Sequence, residues 1–439
     1  MSIFTTKQKI ASISLLVTSM IFSTVGQTAD LYQVIDLGAL VDNSVSSRSV
    51  EAFAINDQGF VVGNSSGGDF RNHAFIYRDE QMLDLGFLPF EGIVSPFINV
   101  FTGNSFAFGI NNNNIVAGYS VETLLNDNDL ETDTEIAVYY DGDNLNINRI
   151  PQFLPATPQK ARAISINNNN LIVGFGLFDP EDGDDVNGDP LTFLYRRGFF
   201  YDVNTDLLTI VNPLGGENAQ RSISLRAVND AGVTVGVSEL VVNNIPTNEV
   251  VVINSSTPEI VEKIDIFGGL AQVPWAINES GKIVGRARIS STSSITEAFL
   301  YDTGSDTAIG LGFLNDSFAD SEAFDINESD QVVGISQVQN SPDVYHAFLY
   351  ENDSLKDINK LISCEDASAW QLSEARSIND SGVITGTGIF EGEKRAFMLM
   401  PLAGSAPNCE EESSGDSGSI PVIGLLLLTM LAWGRRKNK

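Results

Sequence analysis

Hydrophobic and polar residues alternate along most of this chain, in runs of four to six residues rich in Val, Ile, Phe and Tyr and separated by polar turn residues. Alternation with period two marks a half-buried strand, and no helical period interrupts it between the two ends of the chain. The runs recur in a fixed order. "EAFAIN" at 51, "EAFDIN" at 322 and "EARSIN" at 374 each lead into a tight turn and then a β-branched run such as "FVVG" or "QVVG". An aromatic run comes next: "HAFIY" at 73, "IAVYY" at 136, "RGFFY" at 197, "EAFLY" at 297, "HAFLY" at 346 and "RAFML" at 395, with "VVVIN" at 250 in the fourth copy. A last run ends in or near Asp-Leu-Gly, as in "MLDLG" at 82. Each unit therefore predicts four antiparallel strands.

What stays constant is an asparagine followed seven residues later by a glycine: Asn56/Gly63, Asn111/Gly118, Asn167/Gly174, Asn229/Gly236, Asn278/Gly285, Asn327/Gly334 and Asn379/Gly386. Three positions after each Asn stands Gly59, Asn114, Asn170, Gly232, Gly281, Asp330 or Gly382, residue types that tolerate positive φ. This predicts a type I turn closed by a left-handed residue, with the Asn side chain accepting backbone N–H bonds inside it. The later Gly, inside a strand, predicts a bulge or a close backbone approach. Successive asparagines lie 55, 56, 62, 49, 49 and 52 residues apart, the period of four-stranded propeller blades. A lone fourth-type strand, "YQVIDLG" at 32, precedes the first unit, and the last unit stops after its third strand, "RAFMLMPL" at 395. The expected fold is all-β: a seven-bladed β-propeller over residues 30–404, with the N-terminal strand completing the last blade and closing the ring.

"HAFIY" and "HAFLY" following "IN..G.VVG" resemble the HAF-repeat family of probable extracellular bacterial proteins, a domain-of-unknown-function family, over essentially the whole body. The resemblance implies export and no established activity. The tail "SSGDSGSIPVIGLLLLTMLAWGRRKNK" is similar to GlyGly-CTERM sorting signals, which implies processing for surface display.

The ends agree with export. Lys7 and Lys9, the apolar stretch 10–22 and small residues up to Ala29 predict a signal peptide over 1–29. After an acidic, Ser/Gly-containing linker (405–419), residues 420–439 hold a short apolar segment with a basic end, "GRRKNK". It is expected to act as an anchor or sorting signal, with the basic end cytoplasmic and the body outside. Membrane contact is expected only there, and the partners at this stage are the export and sorting machinery. An oxidising destination makes a Cys364–Cys409 disulfide the expected state of the only two cysteines.

Charge narrows the function. Residues 30–413 carry 19 basic and 56 acidic side chains, about −37, which excludes nucleic acid and anionic membrane surfaces as partners. Solubility and cation binding both explain such acidity. The acidic insertions, 121–135 in the second unit and 179–190 in the third, occupy the same slot between second and third strands, so they are expected side by side. The first includes Glu122, Asp127, Asp129, Glu131, Asp133 and Glu135; the second includes Asp182, Asp184, Asp185, Asn187 and Asp189. Oxygens at every second residue suit calcium, so Asp127, Asp129, Glu131, Asp133, Asp182, Asp184, Asp185, Asn187 and Asp189 are the candidate metal ligands, against the plainer reading of solvated loops.

No catalytic constellation emerges. His73 and His346 occupy the same position in different units, which favours a structural role. "GNSSG" at 63 fits the nucleophile-elbow spacing, but a strand follows it where that elbow needs a helix. The expected function is that of an exported, surface-attached or secreted binding protein without catalytic activity, directed at an unknown surface protein or glycan. The alternative is an extracellular polysaccharide hydrolase or lyase working through paired carboxylates.

Overall fold

The computed structural model describes residues 31–403 apart from 41–48, 68–70, 89–102, 126–130, 152–159, 179–194, 216–220, 243–244, 269–270, 291–292, 316–319 and 341–342. Its strands form seven four-stranded antiparallel sheets. β1 (Leu31–Asp36) stands alone at the start of the chain. Blade 1 is β2 (Val50–Ile55), β3 (Val61–Ser66), β4 (Asn72–Arg78) and β5 (Gln81–Gly86). Blade 2 is β6 (Ser105–Ile110), β7 (Ile115–Leu125), β8 (Glu131–Asp141) and β9 (Asn146–Arg149). Blade 3 is β10 (Ala161–Ile166), β11 (Leu171–Phe178), β12 (Tyr195–Asp202) and β13 (Leu207–Val211). Blade 4 is β14 (Ile223–Val228), β15 (Val233–Val242), β16 (Ile245–Asn254) and β17 (Val261–Ile264). Blade 5 is β18 (Val273–Ile277), β19 (Lys282–Arg288), β20 (Thr296–Asp302) and β21 (Thr307–Gly310). Blade 6 is β22 (Ser321–Ile326), β23 (Val332–Asn340), β24 (Asp343–Glu351) and β25 (Ser354–Asp357). Blade 7 is β26 (Trp370–Ile378), β27 (Ile384–Phe390) and β28 (Glu393–Leu402), completed at its outer edge by β1. The ladder runs from Leu31 opposite Leu402 to Asp36 opposite Phe397, so the expected closure is present. The one α-helix among the described residues, α1 (Cys364–Ala369), joins blades 6 and 7; Ser363 caps it by accepting from the Asp366 N–H.

Each first strand packs beside the first strands of both neighbouring blades, and β26 meets β2, so seven inner strands surround the axis. The apolar core is correspondingly divided into seven slabs, one at each blade interface. Between blades 5 and 6, for example, Ala276, Val284, Ala298 and Leu311 meet Ala323, Ile326, Val332 and Phe348. The aromatic strand supplies the largest plugs: Phe75, Phe199, Phe299, Phe348 and Phe397 are all 0% exposed. Burying such a ring stabilises by about 2–3 kcal/mol, and it is this, repeated, that holds sheet against sheet.

The seven turns match expectation. Gly59, Asn114, Asn170, Gly232, Gly281, Asp330 and Gly382 all have positive φ, between 60° and 81°. In blade 1 the Asn56 Oδ1 accepts from the Gln58 and Phe60 backbone N–H groups at 3.1 and 2.9 Å. The side-chain amide then leaves its own blade. Each Nδ2 donates to the backbone carbonyl of the next asparagine: Asn56 to Asn111, Asn111 to Asn167, Asn167 to Asn229, Asn229 to Asn278, Asn278 to Asn327, Asn327 to Asn379, and Asn379 back to Asn56, at 2.8–3.2 Å. The residue after each Asn repeats the circuit further out. Backbone N–H groups of Asp57, Asn112, Asn168, Asp230, Glu279, Glu328 and Asp380 each donate to the side chain of the next member, and Asp380 donates to Asp57. Burial, reinforced by Asp380, Glu279 and Asp330, holds the Glu328 carboxyl above its ordinary range. The asparagine therefore turns the chain and ties blade to blade, which explains why the motif tolerates no substitute among the seven copies.

The constant glycine has an equally local cause. Each inner strand carries a register shift opposite it, as between Ala52 and Ala54 across from Gly63 and Val62. The shift drives a carbonyl toward the glycine: a Cβ on Gly63 would come 1.9 Å from the Glu51 oxygen, and at the other six positions 1.9–2.5 Å from the equivalent carbonyl. Both expectations for this glycine, bulge and close backbone approach, hold together.

One inner-strand residue breaks the pattern. At the position two before the Asn, where other blades carry Ala, Gly or Ser, blade 6 has Asp325. Its carboxylate accepts from the Ser377 hydroxyl (2.6 Å) and the Ile378 N–H (3.0 Å) of blade 7, and Ser377 Oγ accepts from the Ile55 N–H of blade 1 (3.3 Å). Burial moves its pKa from 3.8 up to about 6, against the pull of these hydrogen bonds. The native state thus holds this proton more tightly than the unfolded chain. Its stabilising contribution is present below pH 3.8 and is lost as the pH rises to about 6. Asp325→Asn, which keeps an acceptor but no charge, is expected to be more stable than the parent at pH 7 by about 2 kcal/mol and to converge with it near pH 4. Chemical denaturation at the two pH values measures the difference.

Candidate functional site: an aromatic and arginine collar around the axis

The same bulge that explains the glycine expels one residue of each inner strand from the ladder. The register skips Phe53, Phe108, Ile164, Arg226, Trp275, Phe324 and Arg376, each three positions before its asparagine. Because the inner strands encircle the axis, these side chains form a collar around it. They touch from blade to blade. Arg226 lies 4.7 Å from the Trp275 ring centre, Trp275 meets Phe324 edge-on at 6.0 Å, and Arg376 spans Phe324 at 4.1 Å and Phe53 at 5.9 Å. Phe53 in turn meets Phe108 at 5.3 Å. Contact runs through five consecutive blade junctions, from blade 4 round to blade 2. All members except Phe324 are half-buried.

Two residues earlier on the same strands stand Glu51, Phe106, Arg162, Ser224, Val273, Glu322 and Glu374. Phe106 stacks on Tyr119 at 4.7 Å, and Arg162 covers the other side of that ring at 4.7 Å while gripping Glu135 with two bonds of 2.6 and 2.7 Å. Desolvation raises the Tyr119 hydroxyl to about 12. Glu322 accepts from the Trp275 indole N–H at 2.5 Å and pairs with Arg286 at 3.3 Å; burial still holds its carboxyl above the ordinary range. The collar can therefore offer flat apolar faces and guanidinium donors to a molecule entering along the axis.

The residues singled out from sequence lie elsewhere. Asp127, Asp129, Asp182, Asp184, Asp185, Asn187 and Asp189 lie outside the described residues. Glu131 and Asp133 belong to β8, opposite Leu125 and Thr123 of β7, so the strands continue into the blade 2 insertion. Two of its other carboxylates are already paired with arginine, Glu122 with Arg149 at 3.1 Å and Glu135 with Arg162 at 2.6 Å. Among the described residues no group of three or more His, Cys, Asp or Glu side chains is arranged to hold a metal ion. His73 and His346 pair with Asp84 (2.7 Å) and Asp357 (3.0 Å), equivalent aspartates on the outer strands of their blades, so each joins two strands. The "GNSSG" serines, Ser65 and Ser66, both lie in β3, paired with β4 in a hairpin. Cys364 begins α1, and Cys409 lies outside the described residues. No helix among the described residues is long and apolar enough to cross a membrane; residues 1–29 and 420–439 lie outside them.

The collar escaped the sequence reading because its seven members share no chemistry. Their common property is distance from the asparagine, visible only when the seven copies are superposed.

Solved structures similar to this chain include an oligogalacturonate lyase in complex with manganese, 12% identical over 85% of this chain and 94% of its own, with a TM-score of 0.51. An oligogalacturonate lyase from Vibrio parahaemolyticus is 11% identical over 86% of this chain and 100% of its own (TM-score 0.48), and TolB from Acinetobacter baumannii is 11% identical over 78% and 80% (TM-score 0.37). At these identities the likeness concerns the fold alone. No curated protein matches the chain. The family described as "Protein of unknown function (DUF3466)" matches residues 156–317 and 312–401, more than half of the sequence, and the chain belongs to that family.

Proposed function

We propose that this protein is an exported propeller, secreted or held at the cell surface by its C-terminal segment, that binds a glycan or a surface protein through its axial collar without transforming it. The observation that supports this most strongly is the collar itself: half-buried aromatic faces and guanidinium groups brought together from all round the ring, in a chain whose charge is otherwise strongly negative. Aromatic planes and arginine forks are the usual anchors of recognition surfaces, since they provide area and directed donors at small entropic loss. The leader-like N-terminus, the HAF-repeat resemblance and the sorting-like tail support export, and the Cys364–Cys409 disulfide is part of the same proposal. A glycan array probed with residues 30–413 tests the binding. Selective retention that disappears in Trp275→Ala supports the collar, and retention unaffected by that change removes it.

Calcium remains part of the proposal through the acidic insertions. Added calcium is expected to raise the Tm of the body by the mass-action stabilisation of a native-state ligand. An unchanged Tm at millimolar calcium, read by thermal shift, removes the ion.

A hydrolase or lyase is favoured by one observation, the two desolvated carboxyls Glu322 and Asp325 on a single strand beside the collar. Release of new reducing ends or unsaturated sugars from any polysaccharide retained on the array, abolished by Glu322→Gln, is the result that would replace binding by catalysis.

A further inference from the structure

Resting on the binding reading above, we propose that the sector of the collar contributed by blades 3 to 5 holds the anionic group of an acidic saccharide, with Arg226 as its principal contact.

The argument starts from where the positive charge is. Arg162, Arg196, Arg226 and Arg286 converge closely enough that the other three all act on Arg226. Two of them have carboxylates of their own, Glu135 for Arg162 and Glu322 for Arg286. Arg226 has none. Its Nε is buried without a hydrogen-bond partner, and its guanidinium rests on the Trp275 ring as its one close partner among the described residues. Arg196, on β12, likewise lies over an aromatic ring, Phe175, at 5.3 Å, with no carboxylate paired to its guanidinium among the described residues. Desolvation first, and then the charge of Arg196, lowers the proton affinity of Arg226 against the opposing pull of Glu322. A desolvated guanidinium beside like charges destabilises the fold unless an anion compensates it, and Glu322, shared with Arg286, compensates it only from a distance.

The chemistry of the surroundings narrows the ligand. A guanidinium fork matches the two oxygens of a carboxylate or of a sulfate ester. The Trp275 ring, half-buried and 4.7 Å from the guanidinium, adds an aromatic surface that suits the C–H face of a sugar. The surrounding body, near −37, repels a long polyanion lying across it, so the sector suits one acidic residue entering along the axis.

The test uses residues 30–413 with three probes: a short oligouronate, its carboxyl-reduced counterpart and a sulfated counterpart. Binding is read by calorimetry. The oligouronate is expected to bind, and the carboxyl-reduced form to bind at least about 10-fold more weakly. Arg226→Met is expected to weaken oligouronate binding by about 10-fold or more while raising Tm, because an unpaired buried charge is removed. Arg226→Lys, which keeps the charge and loses the fork, is expected to fall between the two. Preference for the sulfated probe, lost in Arg226→Met, identifies a sulfate ester as the anion. Equal binding of the carboxyl-reduced probe overturns the inference and leaves the binding reading standing. Unchanged binding by Arg226→Met, or no binding of either acidic probe, overturns it as well, and a fall in Tm with unchanged binding assigns Arg226 to the fold.

Discussion

A chain that begins after Asp36 is expected to lose its cooperative unfolding transition. The short strand β1 makes contacts out of proportion to its six residues. It supplies the outer strand of blade 7 through six register pairs with β28. Tyr32, 1% exposed, fills the slab between blades 6 and 7 alongside Ile362, Trp370 and Leu399. Its N–H donates to the Leu361 carbonyl at 2.7 Å, so the strand also reaches back to the segment following blade 6. Loss of a fully buried aromatic ring alone destabilises by about 3–5 kcal/mol, and each net hydrogen bond adds about 1 kcal/mol. Together these rival the 5–15 kcal/mol that typically separates a native domain from its unfolded state. Urea titration followed by circular dichroism checks the outcome: a sharp, parent-like transition in the truncated body would show that the ring stays shut without β1. Tyr32→Ala in the intact chain is the milder variant, expected to lose about 3–5 kcal/mol with a single transition retained.

Gly63→Ala is expected to destabilise by 3 kcal/mol or more, although alanine is ordinarily a better strand residue than glycine. The new methyl carbon would stand 1.9 Å from the Glu51 carbonyl oxygen, and the opposing atoms are backbone, which has no rotamer by which to retreat. Either the bulge is flattened, returning Phe53 toward the ladder and out of the collar, or β2 and β3 separate. Gly38→Ala isolates the other role of glycine. Gly38 has φ +74° with nothing within 4 Å of its missing Cβ, so only conformational strain of about 1–2 kcal/mol is expected there. Urea midpoints of the two variants distinguish crowding from strain; equal losses would refute the close-approach account of the repeated glycine.

The fold was legible because every blade restates it. A period near 50 residues, an asparagine that must turn the chain, and a residue of positive φ three places later are local requirements, and local requirements are written locally. The incomplete last unit and the orphan "YQVIDLG" also made the closure readable. The inter-blade bond from each Asn Nδ2 was not readable, since it depends on how neighbouring turns abut. The extent of the strands in the blade 2 insertion was not readable for a different reason. Asp and Glu at alternate positions suit a cation loop and a strand equally well, and in the structure the strands run on to Leu125 and from Glu131. The collar lay hidden in plain variation. Phe53, Phe108, Ile164, Arg226, Trp275, Phe324 and Arg376 look like noise in the repeat, and only the bulge gives them a shared location.

The amide circuit has no first or last member. Asn379 binds Asn56 across the chain ends in the same way that Asn111 binds Asn167 within the chain, so the geometry of the ring does not record where the polypeptide was cut. A gene rearranged to start at another outer strand, with Leu402 joined to Leu31 by a flexible linker, is thereby allowed to fold into the same wheel, and the position of the seam becomes a choice open to evolution and to the engineer alike.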